Sequence, residues 1–236
     1  MPRRGWICDA SSPDALAQAR AAEDAGLDVV VVMHDAGGDL WDLLGSIAGA
    51  TRELHLLPVT SAPVVSDPLA AAGEIARLVE QAPGRIELGL EVGDPARDGH
   101  PLLNWERMSR MRHVLPALRG LLAGREVAIE TPHLTLHGRL ERPPAAPPQI
   151  RMLADGPSSA GMAATLADGA IVEATHVARE EVIGPFRAAA PGAPVAVLAR
   201  AASVDDAVEA AAELEPELIA VLVEGDPVAA MRELAR

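Results

Sequence analysis

Short runs of β-branched, apolar residues alternate along this chain with longer Ala/Leu-rich stretches, and this alternation restricts the fold more than any other feature. It is the pattern of βα units joined into a parallel sheet. The first apolar run spans Trp6 to Asp9. Ser11-Ser12-Pro13-Asp14 then supplies a cap, a proline for a first turn and an early acid, so a helix begins there and stops at Gly26. Residues 29–33 read Val-Val-Val-Val-Met, apolar at every position, as a strand covered on both faces must be. A helix over 39–51, a strand over 54–61, a helix over 67–82 and a strand over 85–93 follow. The second half predicts a helix near 104–123, a hairpin over about 127–137 and a Pro-rich spacer at 143–148. Strands near 149–153, 169–174, 193–201 and 217–225 then each precede a helix, one of them over 178–189. Eight strand–helix units in 236 residues suit a single closed (β/α)8 barrel spanning 1–236. No G-x-G-x-x-G opens a helix after the first strand, which disfavours an open dinucleotide-binding sheet.

Composition narrows the chemistry. All 20 basic residues are Arg, and the chain lacks both Lys and Tyr. Schiff-base lysines, phosphate-loop lysines and tyrosine acids are therefore excluded. Cys8 is the only cysteine and cannot form an internal disulfide or a multi-cysteine zinc site. Histidines 55, 100, 113, 133 and 137 match no metal-ligand spacing, so no metal is expected. With 34 acids against those 20 arginines, the formal charge of −14 opposes a nucleic-acid groove. No apolar run is long enough to span a membrane, and the first residues lack a secretory apolar core, so the expected location is cytoplasmic.

Several segments taken in order are similar to the luciferase-like monooxygenase superfamily. They are Ala22 to Asp35, Gly37 to Asp94, Glu106 to Gly138 and Arg142 to Ile171. The order of small motifs carries the resemblance: Ala50-Thr51-Arg52 before the third strand, the helix opening at Pro68, Pro83-Gly84-Arg85 before the fourth strand, and Gly156-Pro157 ahead of Leu166-Ala167-Asp168-Gly169. The resemblance implies a TIM barrel that uses the deazaflavin coenzyme F-420 or FMN for hydride transfer with a small organic substrate. It also implies a shortened member, because the long insertion usual after the seventh strand is missing.

The resemblance implies site residues at the C-terminal ends of the strands. After the second strand the family has an acid and then a histidine, whereas here His34 precedes Asp35; a shift of one residue sends a side chain to the other face. His34 reads either as a general acid or base or as a loop histidine satisfied by hydrogen bonds. Val59, Thr60 and Ser61 end the third strand. A non-proline cis peptide is implied at Val59–Thr60, at a cost of about 3–4 kcal/mol, with Pro58 able to alter that strand. Family glycines at 89, 91 and 93 leave room for a flavin, but position 91 is Glu91, whose charge opposes an anionic cofactor. Asp94 aligns with a catalytic acid of some F-420 enzymes, or is a solvated loop acid. Ala154, Gly156, Pro157 and Ser158 stand where backbone N–H groups at a helix start hold the cofactor phosphate, with the Ser158 and Ser159 hydroxyls as further donors. Asp155 is unfavourable there.

Two alternatives stay open beside the F-420 reading. One is a degenerate barrel that binds flavin or a partner without turnover, and the other is an FMN-dependent monooxygenase served by a separate reductase. A homodimer is expected through apolar stripes on the second and third helices, Trp41, Leu44 and Ile47 on one and Leu69, Ile75 and Leu78 on the other.

Overall fold

The computed structural model describes residues 1–34, 40–61, 67–93, 102–175 and 178–236, with the backbone alone at 178–180. The elements run β1 (Arg3–Asp9), α1 (Ala15–Ala25), β2 (Val29–His34), α2 (Leu40–Ala50), β3 (His55–Thr60), α3 (Pro68–Gln81), β4 (Glu87–Leu90) and α4 (Asn104–Leu122). Then come β5 (Val127–Thr131), β6 (Leu134–Gly138), β7 (Gln149–Leu153), α5 (Pro157–Leu166), β8 (Gly169–Glu173), α6 (Gly184–Ala189), β9 (Val195–Ala201), α7 (Val204–Ala212), β10 (Leu218–Val223) and α8 (Pro227–Leu234). Eight parallel strands close in the order β1-β10-β9-β8-β7-β4-β3-β2, and β5-β6 forms a separate antiparallel hairpin. The barrel and the hairpin stand where the sequence puts them. One helix differs: residues 178–183 form a π-helical turn that leads into α6, so the segment expected as one helix is two.

Strand alternation divides the apolar residues into two cores. Ile7, Val29, Val31, Met33, Leu57, Val59, Ile171, Leu198 and Leu218 fill the barrel interior. The opposite faces pack under the helices, with Trp6, Val30, Leu56, Leu90 and Met152 among them. The stripes proposed for a dimer belong to this second core. Leu44, Ile47, Ile75 and Leu78 are buried within the protomer, and Trp41 and Leu69 are partly buried against the same core. Their period is accounted for by packing on the barrel.

The family-like motifs have local physical roles. Arg85 of the Pro-Gly-Arg run donates to Ala48 O, Thr51 Oγ1 and Leu54 O, while Glu23 accepts the N–H groups of Arg52, Glu53 and Leu54. Together they fasten the loop that enters β3. Asp67 caps α3 by accepting from the Leu69 N–H, with Pro68 at the first helical position. Pro58 leaves its mark as well. The β3–β4 ladder pairs Leu56 with Ile86 and resumes at Val59 with Gly89, and the gap holds Pro58, which has no N–H to give.

At the N-terminal end, inward positions carry charge instead of apolar groups. Glu87 Oε1 accepts from Arg3 Nη1 at 2.6 Å, and Oε2 accepts from Arg151 Nε at 3.0 Å and Nη2 at 2.9 Å. Arg151 Nη2 also reaches Glu217 Oε2 at 2.9 Å. Burial pushes the Glu87 carboxyl up, but Arg151 and Arg3 outweigh it and hold the carboxyl below the usual carboxylate range. Its stabilising contribution is complete above the unfolded-state value and is lost as pH falls through the depressed native one. Glu87→Ala should thus cost about 3–5 kcal/mol in urea unfolding at neutral pH, since two guanidinium groups lose their shared partner. The deficit relative to the parent should shrink in acid.

Candidate active site

The C-terminal ends of the strands form the mouth of the barrel, and alternation decides which side chains face it. On β2, Met33 lies in the interior, so the adjacent His34 takes the opposite face. There its Nδ1 lies 3.1 Å from Thr60 Oγ1, its register partner on β3. His34 is half-buried and Thr60 is fully buried. The inverted order thus puts the imidazole on a hydrogen bond at the sheet rim and a methionine where an inward side chain stands. Asp35 and Asp94 lie outside the described residues.

Among the described residues no peptide bond is cis, so Val59–Thr60 is trans, contrary to the expectation. Both residues are engaged on both sides: Met33 and His34 pair them from β2, Gly89 and Leu90 from β4. The Glu91 N–H then donates to Thr60 O at 3.1 Å. A regular extended strand satisfies these groups. Ser61 follows, buried.

Glu91 succeeds Glu87 and Gly89 at the inward positions of β4 and is buried. The neighbouring glycines do not leave the room that the resemblance implies. A Cβ at Gly89 would stand 2.7 Å from Ile171 Cδ1 and 2.9 Å from Val59 Cγ2, so core side chains occupy that space. Gly93, at φ +79°, would meet Arg107 Nη1 at 2.6 Å and Ser61 Cβ at 2.7 Å. Any flat ring must therefore lie above this layer. Arg107, which the sequence reading missed, packs against Gly93 beside the mouth. It comes from α4, is fully buried, and donates Nε–H to Leu102 O. The signal was present, because Arg107 occupies the first position of a stripe continued by Met111, Val114, Leu118 and Leu121, all buried.

The start of α5 is built around Ser159. Its Oγ accepts the N–H groups of Asp155 and Gly156 and donates toward Asp155 Oδ1 at 2.7 Å. The Gly156 amide is thus engaged inside the protein, and Pro157 has none to offer. Gly156 is the N-cap and brings no side chain to the Ser158 and Ser159 N–H groups, which leaves these two amides for an anion. Ala154 is buried, its N–H bonded to Ile171 O, whereas Ser158 and Asp155 are exposed. A cavity of about 270 Å³ lies between this helix start, Val92 and Gly93 after β4, and Asn104 and Met108 of α4. Across the mouth, Asp9 ends β1. The Ser11 hydroxyl, its N–H, Arg200 and His34 together overcome burial and hold the Asp9 carboxyl below its usual range. Asp9 too went unread, though it is the last inward residue of the first strand. Among the described residues no three His, Cys, Asp or Glu side chains converge as metal ligands would.

These features can be set against known proteins. The family model described as luciferase-like monooxygenase matches residues 7–233. The chain belongs to that family. Among curated luciferase-like relatives, it is 29% identical over 171 residues to the 5,10-methylenetetrahydromethanopterin reductase of Archaeoglobus fulgidus, covering 69% of this chain and 51% of that one. It thus spans about half the length of that relative. An F-420-dependent secondary alcohol dehydrogenase, solved with an F-420–acetone adduct, superposes with a TM-score of 0.76 at 19% identity, covering 99% of this chain and 82% of that one. The monooxygenase RslO1 from Streptomyces bottropensis superposes at 0.77 with 17% identity, over 99% of this chain and 97% of that one. No described helix is long and apolar enough to cross a membrane.

The Ser159 hydroxyl is the clearest structural element of the α5 start. Ser159→Ala should lower stability by about 1 kcal/mol in denaturant unfolding, as loss of a cap does, while circular dichroism of the barrel stays unchanged.

Proposed function

We propose that this chain is a luciferase-like oxidoreductase that moves a hydride between coenzyme F-420 and a small organic substrate, with FMN as the alternative cofactor. The observation that carries the reading is the cavity at the start of α5, where the Ser158 and Ser159 amides sit beside Gly93 at the barrel mouth. A helix start of this kind favours an anion through its N–H groups and its dipole, so the donor set suits a phosphate. The F-420-dependent glucose-6-phosphate dehydrogenase of Nakamurella multipartita, 30% identical over 179 residues, and the F-420-dependent alcohol dehydrogenase favour F-420 over FMN.

In this reading Ser158 and Ser159 hold the phosphate, with the Ser158 hydroxyl as a further donor. Ala154, Gly156 and Pro157 shape the turn, and Val59, Thr60, Ser61 and Glu91 form the wall beneath the ring. When bound, the deazaflavin or flavin supplies the centre that takes or gives the hydride. His34, held through Nδ1 by Thr60 at the rim of the sheet, serves as the acid or base toward the substrate. Asp94 and Asp35 complete the proposed set as acid and cofactor neighbour. A homodimer belongs to this reading through the resemblance only.

A second reading has its own observation. Glu91 is buried at an inward position, and the glycine spaces beside it are filled, which suits a barrel that has given up turnover. Titration with F-420 and with FMN, followed by absorbance and fluorescence, separates the two. The oxidoreductase reading expects saturable micromolar binding of F-420, weakened about tenfold or more (~1.4 kcal/mol) by Ser158→Asp, which sets a carboxylate against the phosphate. Absence of binding in the parent, with binding gained in Glu91→Gly, would establish the degenerate barrel.

A further inference from the structure

The mouth cavity does not end at the start of α5. A second cavity, of about 450 Å³, shares Pro157 and Ser158 with it and continues along Gly161 and Thr165 of α5 to Arg112 of α4. Asn104 and Met108 line the first cavity and Arg112 the second, so the lining follows one row of α4 in steps of four residues, about 6 Å each. The two cavities form one groove that leaves the barrel mouth between α4 and α5. Charge sets its outer part apart. The chain carries −14, and the mouth cavity includes Asp155, yet the second cavity has Arg112 as its one charged side chain. Helix α5 has no charged residue, and the positions three and four away from Arg112 on α4 are Met108, Ser109, Leu115 and Pro116, so neither helix offers it a carboxylate. Arg112 is exposed and makes no side-chain hydrogen bond or ion pair among the described residues. In the same cavity Gly161 stands inside α5, where glycine is unfavourable, and a Cβ there would meet nothing within 4 Å. Packing does not demand that glycine, and the space beside it is open groove.

On the reading that the Ser158 and Ser159 amides hold the cofactor phosphate, we propose that this groove takes the part of the cofactor beyond that phosphate, with Arg112 pairing a carboxylate there. F-420 supplies one, because its phosphate is a diester that leads into a carboxylate-bearing tail. FMN ends at a phosphate monoester and leaves the outer groove unused. Arg112 is then a specificity-determining residue that strengthens F-420 and not FMN. Guanidinium N–H groups make their strongest hydrogen bonds to anionic acceptors. In so exposed a position the pair is worth a modest factor, about two- to fivefold in affinity, and salt screens it.

Fluorescence titration at low ionic strength compares F-420 with the same deazaflavin cut back to its phosphate monoester. In Arg112→Ala the expected result is F-420 binding weakened about two- to fivefold, and further in Arg112→Glu, with the truncated cofactor bound as in the parent. The difference should fade in about 1 M salt. Gly161→Glu sets a carboxylate in the same cavity, on a helix that glutamate suits better than glycine. It should weaken F-420 selectively as well, and it decides the matter should an Arg112 variant not fold. The truncated form carries the larger charge at its phosphate, so an arginine acting on the phosphate from a distance would affect it at least as much as F-420. Equal losses for the two ligands, or no loss for either, overturn the proposal and leave the phosphate reading in place. A parent that binds the truncated form but not F-420 also overturns it. A parent that binds neither overturns the phosphate reading, and this inference with it.

Discussion

One buried carboxylate governs how this barrel closes. Glu87 lies inward at the foot of β4 and receives Arg3 from β1 and Arg151 from β7 on its two oxygens. Arg151 extends the chain to Glu217, ahead of β10. A guanidinium buried to this degree persists only when paired, so the strands are joined across the barrel as well as along its wall. Above this layer the interior is apolar up to Met33 and Val59. The polarity of the barrel axis follows. Charge satisfied inside the protein lies at the foot, and polar groups open to ligands lie at the rim, the usual division between stability and function in such barrels.

The same economy of space shapes the rim. Gly89 is small because Ile171 and Val59 need its volume, and Gly93 is small because Arg107 and Ser61 press against its backbone. What remains for a ligand is the region between the end of β4 and the start of α5, together with the polar edge formed by Asp9, His34 and Thr60. A phosphate-bearing cofactor suits the first, and proton exchange suits the second.

Much of the fold was legible because its causes are local. Apolar runs, the helix opening at Pro68 and the left-handed Gly26 mark elements within a few residues of themselves. What escaped reading depends on partners distant in sequence. Glu87 meets Arg151 across 64 residues, and neither residue advertises the other. Helical periodicity on α2 and α3 shows that a face is buried but not what covers it. A π-helical turn of six residues is too short to separate its period from an α-helical one. The cis peptide implied by resemblance is absent because Val59 and Thr60 are paired on both sides in a regular extended strand. At the site, Ser158 and Gly156 were readable from a helix start, whereas Arg107 required taking seriously a charge in an apolar stripe.

The central claim is that the ligand-binding end of this barrel is the α5 side of its mouth. A crystal structure of the protein grown with F-420 tests it most directly. The account predicts phosphate density within hydrogen-bonding distance of the Ser158 and Ser159 amides, with the deazaflavin ring above Glu91 and facing the His34 edge. Cofactor density seated elsewhere, on the β5–β6 hairpin or at the Arg3–Glu87 floor, would contradict it.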